Sequence, residues 1–241
     1  MKIALIGYGK MGKAIEKIAI ERGHTITAKY DSINKFSGNS AEHVDVAIEF
    51  TQPNLAVNHI KKCIDSQIPI VTGTTGWFEQ LDEIKTYVNN SNGSLLYASN
   101  FSVGVNIFFA LNKKLAQLMA PHSSYQVSIE EIHHLQKLDA PSGTAITLAQ
   151  GIIDNNSNLI EWIAGEGRYP ENDEHQIPIA AYREPEVPGT HAVKYKSAID
   201  TIAIHHEAHN RTGFALGAVI AAEWLEGKKG IFTMNDVLNI Q

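Results

Sequence analysis

The sequence predicts an α/β fold, an open parallel sheet wound with helices on both faces, joined to a second domain that is rich in strands. Three observations predict it. Short apolar runs alternate with amphipathic segments up to about Asn100, a glycine-rich turn separates the first run from the first amphipathic segment, and after Asn100 the alternation gives way to strands with few crossovers.

Each element follows from its residues. "KIALIG", from Lys2, is a short apolar run ending in glycine, as expected of a buried strand that enters a tight turn. Met11, Ala14, Ile15, Ile18 and Ala19 then recur at helical spacing until Gly23, a residue type that closes helices. "TITAKYD" gives a second strand and "VDVAIEF" a third, running to Thr51. Pro53 stands where a first helical turn accepts proline, because the missing N–H would have no partner there anyway. Ala56, Val57, Ile60 and Ile64 form that helix's buried stripe, and "IPIVTGTTG", a helix around Leu81, Ile84 and Val88, and the strand "SLLYAS" complete the pattern. Strands joined by helices of this length pair in parallel and are covered on both faces.

Beyond Asn100, a long helix through Phe108, Leu111, Leu115 and Leu118 leads into strands expected at "YQVSIEEI", "QIPIAAYRE", "HAVKYKSA" and "DTIAIHHEA", the last two as a hairpin. A final helix from Thr212 to about Glu226, carrying Phe214, Leu216, Val219, Ile220 and Leu225, returns to the first domain. The expected boundaries are residues 1–102 with 212–241 for one domain and 103–211 for the other. "DNNSN" from Asp154 reads as a loop, and the chain carries no internal repeat.

Composition narrows the function. The 241 residues carry a formal net charge of -6 with their lysines scattered, which is not the footprint of a nucleic-acid binder. A single cysteine, Cys63, leaves no internal disulfide and no cysteine-rich metal site, which fits a reducing, cytoplasmic compartment. The apolar run in "MKIALIGYGKMGKAI" is too short for a secretory leader or a membrane span. A small-molecule enzyme, with neither nucleic acid nor membrane as partner, is the expectation.

Gly7, Gly9 and Gly12 make the GxGxxG pattern "GYGKMG", which also contains Tyr8, Lys10 and Met11, and it lies between a predicted strand and a predicted helix. In a Rossmann-type fold the first glycine permits the turn and the second lets backbone approach a pyrophosphate. The third lets helix and strand pack closely while helix N–H groups face the anion. Asp31, at the end of the second strand, is placed to accept hydrogen bonds from a ribose 2′-OH, which favours NADH. NADPH would need a nearby cation, for which Lys29 and Lys35 are close in sequence, so both nicotinamide cofactors stay open. "GYGKMGK" lacks the spacing and the Ser/Thr of a P-loop. Two further turns, "GTTG" (Gly73, Thr74, Thr75) and "ASNF" (Ala98, Ser99, Asn100, Phe101), fall at the C-terminal ends of strands, where α/β sheets bind ligands. Their backbone groups and the Phe101 ring are candidate contacts to the nicotinamide half.

"EEIHHLQKLDAPSGTA", from Glu130, carries the chemistry of the second domain. His133 and His134 lie near the end of a strand and face opposite sides if it continues that far, and Lys137 follows in the turn. "DAPSGTAITLAQGI" reads as a turn feeding a helix that Ser142 or Thr144 can cap. Free N–H groups of Ser142, Gly143 and Thr144 would seat an anion beside the Lys137 charge, as a carboxylate requires, and a histidine can deliver a proton. No metal site is expected, since "HHEAH" from His205 is one residue short of HExxH spacing. The residues alone leave other classes open: a two-domain dehydrogenase acting on a semialdehyde or sugar, and a non-catalytic NAD-sensing regulator.

Over nearly its whole length the chain resembles the 4-hydroxy-tetrahydrodipicolinate (dihydrodipicolinate) reductases of diaminopimelate and lysine synthesis. "GYGKMG", "DVAIEFTQP", "GTTG", "ASNFSVGVN", "EIHHLQKLDAPSGTA", "PGTHAV" and "HEAHNRTGFALGAVIAAEWL" stand in family order, and the histidine, lysine and PSGTA block is the most specific of them. The resemblance implies a dinucleotide-binding domain built from both chain ends and a central substrate-binding and tetramerisation domain with a mixed sheet. It implies His133 as proton donor or acceptor and Lys137 as a second catalytic donor. His134, Gly143 and Thr144 would bind substrate carboxylates, and Arg211 would help close the domains. Ser32 follows Asp31 where the family often has arginine, Ser128 replaces an acidic residue, and Leu135 and Gln136 replace more basic ones.

Overall fold

The computed structural model describes residues 1–38, 43–210 and 212–240. The chain divides into two compact units, one of Met1–Asn106 with Thr212–Gln241 and one of Ile107–Arg211. In chain order the first unit begins with β1 (Lys2–Ile6), α1 (Lys10–Glu21), β2 (Thr25–Tyr30), β3 (Val46–Glu49), α2 (Pro53–Asp65) and β4 (Ile70–Thr72), followed by a 3-10 turn at Phe78–Gln80, α3 (Leu81–Asn90) and β5 (Ser94–Tyr97). The helix α4 (Val103–Met119) then leads to β6 (Gln126–His133), α5 (Gly143–Ile153), β7 (Glu161–Glu166), β8 (Gln176–Arg183), β9 (Thr190–Lys196) and β10 (Thr201–Glu207). The chain ends with α6 (Thr212–Leu225), β11 (Gly230–Phe232) and α7 (Met234–Leu238).

In the first unit six strands pair in the order β11-β5-β4-β3-β1-β2, all parallel. The winding reverses at β1, which has β2 on one side and β3 on the other, so the crevice outside the ends of β1 and β3 is the topological switch point. The period-two alternation of β1 sorts its residues. Ile3 and Leu5 pack with α1 and α6 residues such as Ile15 and Val219, whereas Ala4 and Ile6 pack with Ile60 and Ile64 of α2. Each such isoleucine or leucine, fully buried, contributes about 1.5–3 kcal/mol. The doubly wound α/β plan expected from the sequence is the plan of this unit. A sixth strand, β11, and the short helix α7 extend it. The cue for α7 is in the sequence, where Thr233 and Asp236 form a capping box.

In the second unit the order is β10-β9-β6-β8-β7, with β9 antiparallel to both its neighbours and β8 parallel to both of its own, giving the mixed sheet. The hairpin of β9 and β10 is present as expected, and β7, an edge strand without clean alternation, was not anticipated. Helices α4 and α5 cover one face through Phe108, Ala116, Leu148 and Ile152, which meet Val127, Ile129, Ile179 and Val193 of the sheet. The stripe expected on α4 is corrected. Phe108 is buried, but Leu111 and Leu118 are exposed, and the inward face is completed by Asn112, Ala116 and Met119. Asn112 is buried because its Nδ2 donates to the carbonyl of Leu148 at 2.9 Å, which docks α4 on α5 through a polar contact that a count of leucines does not see. Among the described residues no helix is long and apolar enough to cross a membrane.

Candidate active site

At the switch point the glycines of the first turn have distinct tasks. A Cβ on Gly7 (φ +99°) would lie 2.0 Å from the carbonyl oxygen of Phe50, and one on Gly12 would lie 2.3 Å from that of Gly7. These two allow the chain to turn beside β3 and pack onto α1. Gly9, the N-cap of α1, has no described residue within 4 Å of where its Cβ would be, so the helix N-terminus is open to approach beside Tyr8, Lys10 and Met11. That is the cradle a pyrophosphate fits. The N–H groups of Gly7 and Tyr8 both donate to the carbonyl of Tyr30, at 2.9 and 3.0 Å, which ties the turn to the end of β2 and brings Asp31 to the same edge. Asp31 is exposed. Its Oδ1 accepts the N–H groups of Asn34 and Ile33, both at 2.8 Å, and these hold the carboxyl below its ordinary value. Among the described residues none hydrogen-bonds its second oxygen. Lys29 is engaged elsewhere: its ammonium lies 2.5 Å from Glu16 and 4.8 Å from the centroid of the Tyr8 ring.

The other two turns are anchored from beneath. Glu49, the last residue of β3, is fully buried and accepts the hydroxyls of Thr51, Thr72 and Thr74, with His59 Nδ1 3.5 Å away. Thr74 also accepts the N–H of Thr51 at 2.7 Å, and its carbonyl accepts Trp77 Nε1 at 2.7 Å, so its polar atoms serve the loop itself. Gly73 fits against the Phe50 ring, where a Cβ would come within 2.1 Å, and Thr75 is exposed. In "ASNF", Ser99 is exposed, Ala98 is half-buried and donates to the carbonyl of Thr72, and Asn100 accepts the N–H of Ser102. The expectation for Phe101 is corrected. The residue is 2% exposed and its ring packs on Phe50, with centroids 5.7 Å apart, so the ring serves the core rather than facing a ligand.

The second cluster is built on β6, where residues 127, 129, 131 and 133 alternate onto the buried face. Glu131 and His133 therefore lie side by side. Register supplies their neighbours, since Glu131 pairs with His191 on β9 and His133 pairs with Arg183 on β8. Glu131, fully buried, accepts the N–H of Ser142 on both oxygens, at 3.0 and 3.1 Å. His133 Nδ1, His191 Nε2 and Arg183 Nη1 lie 3.5, 3.6 and 3.5 Å from that carboxylate. Ser142 Oγ caps α5 by accepting the N–H of Ala145 at 3.2 Å, and it hydrogen-bonds His191 Nε2 at 3.1 Å. The Ser142 N–H is thus not free, and of the three N–H groups expected to seat an anion only those of Gly143 and Thr144 are left for that role. Gly143 has nothing within 4 Å of its Cβ direction, so the approach is open.

Lys137 donates to both oxygens of Asp139 at 2.8 Å. Arg183 holds the same turn by donating to the carbonyls of Asp139 and Lys137 at 2.7 and 3.4 Å. His134, half-buried, follows the last residue of β6. Arg211 lies outside the described residues. Burial lowers the His133 pKa to about 4; Glu131 opposes the shift, and the charges of His191, Lys137 and Arg183 add to it. Burial works against the Glu131 charge, but His191, Ser142 and His133 outweigh it and hold the carboxyl below its ordinary value. At neutral pH the pair is a neutral imidazole beside a carboxylate.

Sequence reasoning names His133, Lys137 and Ser142, which the structure places in or beside this cluster, and does not name Glu131, Arg183 and His191, which lie with them. The signal for Glu131 was its position two residues before His133, on the same strand face. Glu131, His133 and His191 also bring possible metal-ligating atoms within 4.8 Å of one another. The carboxylate is already engaged by the Ser142 N–H, His191 Nε2 by the Ser142 hydroxyl, and a guanidinium stands at 3.5 Å, so the cluster suits protons rather than a cation. The "HHEAH" run does not converge on a site, because His205 and His206 alternate along the edge strand β10.

Residues 1–101 match the family model for the N-terminus of dihydrodipicolinate reductase, and residues 104–238 match the one for its C-terminus. The chain is 52% identical to a 4-hydroxy-tetrahydrodipicolinate reductase of Christiangramia forsetii over 99% of its own length and 98% of the relative's. It is 34% identical to that of Neisseria meningitidis serogroup B, covering 81% of this chain and 73% of that one. A dipicolinate-bound dihydrodipicolinate reductase from Paenisporosarcina sp. TG-14 shares the fold, with a TM-score of 0.74 at 24% identity over 97% of each chain. The chain belongs to the dihydrodipicolinate reductase family.

Proposed function

We propose that the protein reduces 4-hydroxy-tetrahydrodipicolinate to tetrahydrodipicolinate, in the route to diaminopimelate and lysine, with loss of water, uptake of one proton and oxidation of a nicotinamide cofactor. The observation that carries this reading is the convergence of His133 and the start of α5 on one buried carboxylate, with Lys137 on the adjoining turn paired to Asp139, in a chain of this family. Residues 1–102 and 212–241 serve as the dinucleotide-binding domain, and residues 103–211 as the domain that binds substrate and assembles a homotetramer in the cytoplasm.

The nicotinamide, when bound, supplies the hydride that reduces C4 of the ring. The open helix N-terminus at Gly9 and the second oxygen of Asp31 suit a pyrophosphate and a ribose diol, with Gly7, Gly12, Gly73, Thr75, Ala98, Ser99 and Asn100 along the same sheet edge. Asp31 repels a 2′-phosphate while Lys29 is neutralised by Glu16, so NADH is the preferred cofactor.

The substrate is a dianion and the chain is itself acidic, so local cations decide binding. Lys137 exchanges Asp139 for one substrate carboxylate, and the N–H groups of Gly143 and Thr144, with His134 and Arg211, receive the carboxylates. Two carboxylates beside the ring favour the imidazolium, so His133 gains its proton as substrate arrives and gives it to the ring carbon next to C4. The test is cofactor oxidation followed by absorbance, with the substrate generated from pyruvate and aspartate semialdehyde by the preceding synthase. Oxidation that depends on the synthase is expected; cofactor binding without any turnover would remove this reading.

A further inference from the structure

Buried carboxylates are costly unless paired, and Glu131 is paired in a particular way. Its neighbours come from four elements: Ser142 at the start of α5, His191 on β9, Arg183 at the end of β8 and His133 on β6 itself. His133 Nδ1 is buried and has no hydrogen-bond partner among the described residues, and the acceptor facing it is Glu131 Oε2 at 3.5 Å. The other nitrogen, Nε2, looks toward Gly189, where a Cβ would come within 3.0 Å and where no side chain stands. One ring nitrogen thus faces a carboxylate and the other faces a glycine that sets no side chain against it.

We propose that Glu131 is the positioning residue of this site. Its carboxylate receives the Nδ1–H of His133, so that Nε2 exchanges the proton with substrate, and by accepting the Ser142 N–H it holds the anion seat of α5 in fixed relation to that nitrogen. The assignment rests on the function proposed above. In the step itself the imidazolium gives its Nε2 proton to the ring carbon, the neutral ring keeps Nδ1–H toward Glu131, and water restores the Nε2 proton. A histidine's reactive nitrogen is set by what the other nitrogen bonds, and here that partner is a group whose charge opposes the loss of the imidazolium. The charged and titratable groups facing the ring are Glu131, His191, Arg183 and Lys137, with Asp139 beyond the lysine.

The experiment is E131Q, which keeps the shape and can still accept the Ser142 N–H but removes the charge, measured beside E131D and the wild type. In E131Q, kcat should fall about 10- to 100-fold, with KM for the substrate changing less than about threefold. The pH at which kcat declines on the alkaline side should move down, and E131D should recover part of the rate. Side-chain 15N spectra of the protein without substrate read the tautomer of His133 directly, with Nδ1–H expected in the wild type and Nε2–H in E131Q. Unchanged kcat and pH profile in E131Q, or Nε2–H in the wild type, would overturn the proposal. If E131Q does not fold, the wild-type tautomer decides alone. A wild type inactive on the dipicolinate precursor would sink the proposed function, and the spectra would still test the Glu131 assignment.

Discussion

The N–H of Ser142 is donated to the buried carboxylate of Glu131 at 3.0 Å, so the strand that carries His133 and the helix that begins at Gly143 are joined by a single charged group. That group has no exposure to solvent, which keeps the contact short of competing water. An error in the placement of either element is transmitted to the other, and the predictions below draw on that coupling.

Gly189 tests the space on the far side of the ring. An added methyl would sit 3.0 Å from His133 Nε2 and 3.3 Å from its Cδ2, so the imidazole must give by a few tenths of an ångström. Gly189→Ala should lower kcat/KM by about 10-fold, since misplacements up to 1 Å reduce rates as much as 100-fold, while the nucleotide is bound as before. Steady-state kinetics with cofactor titration by fluorescence separates the two. An undiminished kcat/KM would mean that Nε2 does not use this space.

Acid should destabilise the protein through His133. Its folded pKa, about 4, lies below the unfolded value near 6.5, so the unfolded chain binds more protons between those limits. The contribution is fully present above the unfolded value and is lost as pH falls through the folded one, on the order of 3 kcal/mol between pH 7 and pH 4. Glu131, held below its ordinary value, acts in the same direction at lower pH. Denaturant titrations across pH 7 to 4 should show the loss, and His133→Gln should flatten the part between pH 6.5 and 4. A variant as acid-sensitive as the wild type would assign the loss to other groups.

Asp31 should select the cofactor. With one oxygen held by backbone N–H groups, it offers a fixed charge-assisted acceptor to a ribose. Asp31→Ala should raise KM for NADH by about 10-fold or more and narrow the gap to NADPH, with kcat little changed. Equal use of both cofactors by the wild type would show that Lys29 leaves Glu16 to meet a phosphate.

These cases show why some features could be read from the sequence and others could not. The alternation of strands and helices, the glycine turn and the cap at Ser142 are local, set by periodicity and by residues a few positions apart. The block from His133 to Thr144 was legible for the same reason. Arg183 and His191 reach the cluster only through the pairing of β6 with β8 and β9, which no local pattern encodes. The α4 stripe was misread because a buried asparagine, paid for by a carbonyl of α5, stands where apolar counting expects leucine. Phe101 was assigned to the site because its turn is there, but the ring turns inward onto Phe50. β11, of three residues, is too short to show a period.

Lys137 offers the sharpest separation between binding and chemistry. Its side chain is mostly buried, yet its partner Asp139 is exposed, so the ammonium is presented on a carboxylate that a stronger ligand can displace. Arg183 fixes the backbone of the same turn independently of the lysine, through the carbonyls of Asp139 and Lys137. Removing the lysine side chain should therefore leave the turn in place and remove only the charge. Lys137→Ala should raise KM for the dicarboxylate and lower kcat together, with kcat/KM falling by about 100-fold or more, because hydrogen bonds to charged groups contribute about 1.5–3 kcal/mol and the same cation assists the developing charge. Lys137→Arg should recover binding better than rate, since the planar guanidinium can grip a carboxylate but places its charge differently. The affinity for NADH should be unchanged in both, and a loss of NADH binding would show that the substitution acts through the fold rather than at the substrate.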